Sequence, residues 1–249
     1  MNFTTVVAVD GNTLAQLEIS APTWRKNRPE LWNNKMLVIY DRDVVTPDAL
    51  DFLDHPFLDL YGWPPDFLFT DQREKMLSAF VHVPPAVVTT TWWLKIDCDA
   101  VALNSDPWLD PSWFEAQDTD GTLTKYNSFI GSRWGYTKPS EQMSLLDLWA
   151  DGISGLNAYP PLDLPYNPES KTLKHRRMAS WICFFNTAWS KIASGYASYP
   201  AIPVPSEDGY HFYIAERRSD PYMLTNFKKR GWGNFSNLRK LRHVAKGVL

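Results

Sequence analysis

Three apolar runs in the first hundred residues each close on an aspartate. Val6-Val7-Ala8-Val9 ends at Asp10, Met36-Leu37-Val38-Ile39-Tyr40 at Asp41, and Trp92-Trp93-Leu94-Lys95-Ile96 at Asp97. Runs this short and this evenly apolar suit strands buried on both faces. Helically spaced segments lie between them. One starts near Thr13, sets Leu14, Leu17 and Ala21 on one face, and is expected to stop or kink near Pro22. A short one follows Thr46 as cap, with Pro47 at its first position and Leu50 and Leu53 inward. A third starts near Asp71 and turns Met76, Leu77 and Phe80 inward, after a short strand expected over 67–69. This alternation predicts an α/β fold with a mostly parallel central sheet flanked by helices. Ligands of such sheets sit outside the carboxyl ends of the strands, so Asp10, Asp41 and Asp97 direct attention to one crevice.

Past Asp99 the pattern loosens. Residues 104–141 are turn-rich, and 151–170 hold four prolines together with Gly and Asn. A strand is expected over 180–185, a helix over 186–193 and another over 208–217. No linker or repeat divides the 249 residues, which points to a single domain over 1–249 with a first half at 1–103 and a loop-rich second half at 104–249.

Charge is unevenly spread. Residues 41–120 hold 16 acids against 4 Lys or Arg, whereas 211–249 hold 9 Lys or Arg against 2 acids. The acidic stretch suits cations. The basic tail suits phosphates or an anionic surface, or is a solvated face. Nucleic acid is disfavoured as a partner because most of the chain is acidic. No run of about 18 apolar residues suggests a membrane span, though peripheral membrane contact through the tail is compatible with its charge. The start shows no basic leader, and the two cysteines, Cys98 and Cys183, have neither a disulfide nor a metal spacing, so a reducing, cytoplasmic setting is expected. The 12 tryptophans include Trp63, Trp134 and Trp232 beside turn residues, where broad aromatic faces suit stacking on sugar rings or bases; most tryptophans in a chain this size are core.

Asp97 and Asp99 stand one residue apart at the end of a buried strand. Strand periodicity turns both carboxylates the same way and Cys98 the other. Two such carboxylates repel unless a cation or a proton compensates them, and a hard divalent ion, Mn²⁺ or Mg²⁺, fits their oxygens.

With these residues in place the sequence resembles the GT-A-fold, nucleotide-sugar-dependent glycosyltransferases. The likeness lies in Thr5-Val6-Val7-Ala8-Val9-Asp10, Leu37-Val38-Ile39-Tyr40-Asp41, Arg73, and Leu94-Lys95-Ile96-Asp97-Cys98-Asp99-Ala100-Val101, and covers roughly residues 4–103. The resemblance implies that Asp97 and Asp99 hold a metal that bridges the diphosphate of a UDP- or GDP-sugar. It implies that Val9, Asp10 and Asp41 hold the nucleoside, and that Arg73 approaches the donor. Arg242-His243-Val244-Ala245-Lys246-Gly247 is similar to the family's C-terminal histidine and basic residue, which makes His243 a third metal ligand and Lys246 a diphosphate contact. Ser206-Glu207-Asp208-Gly209 stands where inverting members present an acidic pair. Asp208 is then the base that takes the acceptor proton, with Glu207 as fallback, although acids are also favoured at a helix start by its dipole. Trp181 enters the region where the family places the acceptor, a glycan or other molecule, and Lys174-His175-Arg176-Arg177 suits an anionic acceptor or a solvated face.

Two other readings compete. A haloacid-dehalogenase-type phosphatase also uses a strand-end D-x-D, but after its first strand, whereas at least three strands precede Asp97. A non-catalytic carbohydrate-binding protein would use the tryptophans and leave the strand-end aspartates unexplained.

Overall fold

In the computed structural model, residues 1–64, 72–114, 128–133 and 178–197 are described, together with 210–211, 214–215, 220, 223–225 and 234–238. The expected strand at 67–69, most of the helix expected over 208–217, the 151–170 loop, Lys174-His175-Arg176-Arg177, Trp134 and Trp232 lie outside these residues.

The apolar runs form β1 (Phe3–Val9), β2 (Lys35–Asp41) and β4 (Trp92–Ile96), and the strand that lies between them in sequence is β3 (Leu58–Trp63). β3, β2, β1 and β4 lie side by side in that order, all parallel. β6 (Phe129–Arg133), β7 (Met178–Asn186) and β8 (Met223–Thr225) extend the sheet: β7 runs antiparallel to β4, β6 antiparallel to β7, and β8 parallel to β6. A separate two-stranded ribbon pairs β5 (Ala100–Ala102) with β9 (Phe235–Asn237).

Helices cover both faces, which is why the inner strands are mostly apolar. On one face α1 (Leu14–Asn27) packs Leu17, Ala21 and Trp24 against Phe3, Val7, Val9, Val38, Leu94 and Ile96. α2 (Pro29–Trp32) and a 3₁₀ helix (Pro47–Leu53) lie on the same side, and Leu50 and Leu53 of the latter are buried as expected. On the other face α3 (Gln72–Val87) and α4 (Thr187–Ser194) bring Ala79, Phe80, Val83, Trp189 and Ala193 against Val6, Leu37, Ile39 and Trp93. Each fully buried Val, Leu or Phe adds roughly 1.5–3 kcal/mol, and two such layers hold the sheet rigid beneath its loops.

α1 runs on through Pro22 to Asn27 and neither stops nor breaks there. Proline removes the hydrogen bond to the carbonyl of Glu18, but Pro22 and Glu18 are both exposed, where solvation offsets the loss. Asn186 caps α4 by accepting the N–H of Trp189 at 3.1 Å.

Candidate functional site

The chain passes from β1 to β2 to β3 in one direction across the sheet and then places β4 on the other flank of β1. The order therefore reverses between β1 and β4, and an open parallel sheet offers its crevice at that point, outside the carboxyl ends. Asp10 follows β1, and Asp97 follows β4. Both line that crevice.

Asp97 opens a tight turn. Its N–H donates to the Trp181 carbonyl of β7 at 2.9 Å, and its own carbonyl accepts the Ala100 N–H at 3.0 Å. Trp181, half-buried against the α1-side core, is thereby a direct neighbour of Asp97. Cys98 is buried on the α1 side with its thiol on the Ala8 carbonyl, while Asp97 and Asp99 are only half-buried, in keeping with the alternation expected of the strand end. Burial, and then the charge of Asp97, push the Asp99 carboxyl above the usual carboxylate range, with Lys95 working in the opposite direction. Burial pushes the Cys98 thiol far up, so it is an inert packing residue.

The segment after the turn is held from two sides. On α1, Ser20, Thr23, Trp24 and Asn27 lie at helical spacing and all serve the backbone of 98–102. Ser20 Oγ donates to the Cys98 carbonyl at 2.6 Å, Trp24 Nε1 to that of Ala100 at 2.5 Å and Asn27 Nδ2 to that of Ala102 at 2.7 Å, while Thr23 Oγ1 accepts the Ala102 N–H at 3.0 Å. From the other side β9 pairs with β5, and the Leu238 N–H donates to the Asp99 carbonyl at 2.9 Å. Arg28, buried at the end of α1, donates to the Asp106 carbonyl at 2.7 Å and lies over the Phe235 ring at 4.9 Å, tying β9 to α1.

Two lysines absent from the sequence expectations sit among the strand-end acids. Lys95, only 2% exposed, folds back so that Nζ meets Asp97 Oδ1 at 2.5 Å, over the Phe80 ring at 4.7 Å. Lys75 of α3 bridges Asp41 Oδ1 and Asp43 Oδ2, each at 2.6 Å. Burial lowers the Lys75 ammonium, but the hydrogen bonds to Asp41 and Asp43 outweigh it and hold it above its ordinary value. A signal was present in the sequence: only Arg42, Arg73, Lys75 and Lys95 are basic in 41–120, and Lys95 interrupts an otherwise apolar strand.

The other expected site residues fall as follows. Val9 is wholly buried in the α1-side core. Asp10 works in the turn that starts α1: Oδ1 accepts the N–H groups of Asn12 and Thr13 at 2.9 and 2.8 Å, and Thr13 Oγ1 accepts the Asp10 N–H in return. Asp41 is 0% exposed and committed to Lys75. Arg73 lies on α3 two residues before Lys75, with its side chain outside the described residues, as are Glu207, Asp208, His243 and Lys246. Tyr210, two residues after Asp208 in sequence, is buried with its hydroxyl donating to the Ala193 carbonyl of α4 at 2.6 Å.

The donor set suits a hard cation. Asp10, Asp41, Asp43, Asp97 and Asp99 outnumber Lys75 and Lys95 around the crevice, and Asp97 and Asp99 present oxygens that repel one another. Among the described residues no three His, Cys, Asp or Glu side chains gather into a cage. No helix among the described residues is long and apolar enough to cross a membrane.

No family model matches the chain, and no curated protein does. Solved structures do. The galactosyltransferase LgtC, in complex with donor and acceptor sugar analogs, is similar over 89% of this chain and 73% of its own, with a TM-score of 0.50 at 12% identity. Core-mannan synthase A from Aspergillus fumigatus, in an Mn/GDP form, is similar over 96% of this chain and 75% of its own, with a TM-score of 0.50 at 9% identity. The fold is the GT-A fold.

Proposed function

We propose that this chain is a glycosyltransferase that moves a sugar from a nucleoside diphosphate, UDP or GDP, to the hydroxyl of an acceptor. The observation that carries the reading is the placement of Asp97 and Asp99 beside Asp10 at the point where the strand order reverses, in a sheet of GT-A fold. A phosphatase of the haloacid-dehalogenase type would carry its D-x-D after the first strand, whereas here it follows the fourth.

In this reading Asp97 and Asp99 would hold Mn²⁺ or Mg²⁺, with His243 as the further ligand. When bound, the ion supplies positive charge where the diphosphate of the donor leaves. Core-mannan synthase A in its Mn/GDP form supports that choice of cation and nucleotide class. The chain after Leu238 begins at the Asp99 carbonyl, and five residues reach up to about 17 Å, which brings His243 within range of the pair. Val9, Asp10 and Asp41 flank the nucleoside, and Arg73 and Lys246 meet the diphosphate. Asp208 removes the acceptor proton as the hydroxyl attacks the sugar carbon from the face opposite the leaving group, which inverts that carbon. Trp181, fixed to Asp97 by a backbone hydrogen bond, offers a ring beside the acceptor. The chain forms a single unit over 1–249 and acts in the cytoplasm.

Thermal unfolding with UDP or GDP, with and without Mn²⁺ and with a chelator control, tests this. A ligand at about 100 times its Kd stabilises by about 2.7 kcal/mol, a rise of roughly 5–10 °C in Tm for a chain of this size. The rise is expected only with nucleotide and metal together, and to vanish in Asp97→Ala. No rise with either nucleotide overturns the reading.

A further inference from the structure

Asp41, Asp43 and Lys75 form a triad at the end of β2, of which the reading above uses only Asp41, beside the nucleoside, and leaves Lys75 and Asp43 without a part. Asp41 closes β2 and is wholly buried, whereas Asp43 has a side chain 34% exposed. Lys75 reaches both from α3, on the opposite side of the loop, and is itself nearly buried. The loop between them is fixed at every point. The Asp41 carbonyl accepts the N–H groups of Val44 and Val45 at 3.1 and 2.8 Å, Asp41 Oδ1 accepts that of Asp43 at 3.1 Å, and the Arg42 N–H donates to the Trp63 carbonyl of β3 at 3.1 Å. Trp63 Nε1 in turn donates to the Lys75 carbonyl at 2.7 Å, so α3, β3 and this loop are cross-tied around one ammonium group.

A stability role alone does not need two carboxylates. Asp41 by itself balances the Lys75 charge, and a second acid in the same place adds repulsion between the two carboxylates. Lys75 takes Oδ2 of Asp43, which turns the half-exposed carboxylate to a defined orientation beside the crevice. Resting on the glycosyltransferase reading, we propose that Lys75 is a positioning residue for the donor nucleoside: it orients Asp43 so that its other oxygen accepts a hydrogen bond from a nucleoside hydroxyl or imino N–H.

The test measures the Kd of UDP and of GDP, each with Mn²⁺, by titration calorimetry. Lys75→Met/Asp41→Asn removes both buried charges at once, which keeps the core free of an unpaired ion. This variant is expected to melt close to the wild type yet bind its nucleotide about tenfold or more weakly, and Asp43→Asn to show the same loss. The triple variant is expected within about threefold of Asp43→Asn alone, because Lys75 acts through Asp43. Nucleotide affinity unchanged in the folded double variant overturns the proposal, as do penalties that multiply in the triple variant. Asp43→Asn changes only a half-exposed loop residue, so an unchanged Kd there overturns it even if the double variant fails to fold. Binding of neither nucleotide by the wild-type protein is a different outcome: it removes the glycosyltransferase reading and the role of Lys75 with it. Repeating the Asp43→Asn comparison with 2′-deoxy-UDP identifies the donor group, since a loss that disappears assigns the 2′-hydroxyl and a loss that persists assigns another nucleoside donor.

Discussion

The N–H of Leu238 donates to the carbonyl of Asp99 at 2.9 Å, so the last described stretch of the chain is fastened to the D-x-D itself. His243 follows five residues later. His243→Ala is expected to weaken Mn²⁺ binding to the UDP-bound or GDP-bound protein by roughly 10–100-fold while leaving the Tm without ligand near that of the wild type. Calorimetric titration with Mn²⁺ decides it, and an unchanged Mn²⁺ affinity removes His243 from the metal site.

Asp97 is expected to affect stability as well as binding. Lys95 is buried beside it, so Asp97→Ala withdraws the carboxylate 2.5 Å from its ammonium. Because Asp97 is partly exposed and the bond is charge-assisted, the expected cost is about 1–3 kcal/mol in urea unfolding. Asp97→Ala/Lys95→Met should recover most of that stability without recovering metal-dependent nucleotide binding. A double variant no more stable than Asp97→Ala refutes the coupling.

Ser20 and Thr23 link a surface helix to the backbone beside Asp99. Ser20→Ala leaves the buried Cys98 carbonyl without its 2.6 Å donor, at an expected cost of about 1–2 kcal/mol. Thr23→Val, which removes the acceptor for the Ala102 N–H, should cost a similar amount. Both are expected to weaken metal-dependent nucleotide binding too, because the turn carrying Asp99 hangs from these bonds. Loss of stability with binding unaffected would place the bonds outside the site.

His55 gives the protein an acid-sensitive point far from the crevice. It is buried, its Nδ1 accepts the Phe57 N–H at 3.0 Å, and burial holds its pKa below the ordinary value despite the Leu31 carbonyl. The unfolded chain therefore takes up the proton first as pH falls. The His55 contribution to stability is whole above about pH 6.5 and declines below it, until pH reaches the depressed folded value, at up to about 1.4 kcal/mol per pH unit. His55→Asn is expected to flatten that part of the acid limb in a comparison of Tm against pH. Parallel wild-type and variant curves would show that His55 is not its source.

The strands that carry the aspartates were legible because burial on both faces writes an uninterrupted apolar run. β1, β2 and β7 show it, β4 shows it broken only by Lys95, and the alternation past Ile96 correctly separates Cys98 from its two acidic neighbours. β3 escaped because it is the edge strand: Asp59 and Leu60 are exposed, and no apolar run marks it. β5 and β9, of three residues each, exist by pairing with one another across most of the chain, which no local pattern encodes. The polar stripe Ser20, Thr23, Trp24 and Asn27 reads as a solvated helix face until the backbone it serves is in place. Lys75 and Lys95 are a different case. Their scarcity in an acidic stretch was visible, but their partners Asp41, Asp43 and Asp97 become evident only once the sheet is assembled.

The β5–β9 ribbon also sets an order of events in synthesis. Ala102 pairs with Phe235, about 130 residues later, and closing so long a loop is slow and entropically costly compared with forming the neighbouring β1–β2 pair. A nascent chain that has emerged through β4 can already assemble the parallel core, yet the backbone of Asp99 lacks its second anchor until residue 238 leaves the ribosome. The second anchor of the Asp99 turn thus arrives last, and a chain cut short during translation would hold the parallel sheet without it.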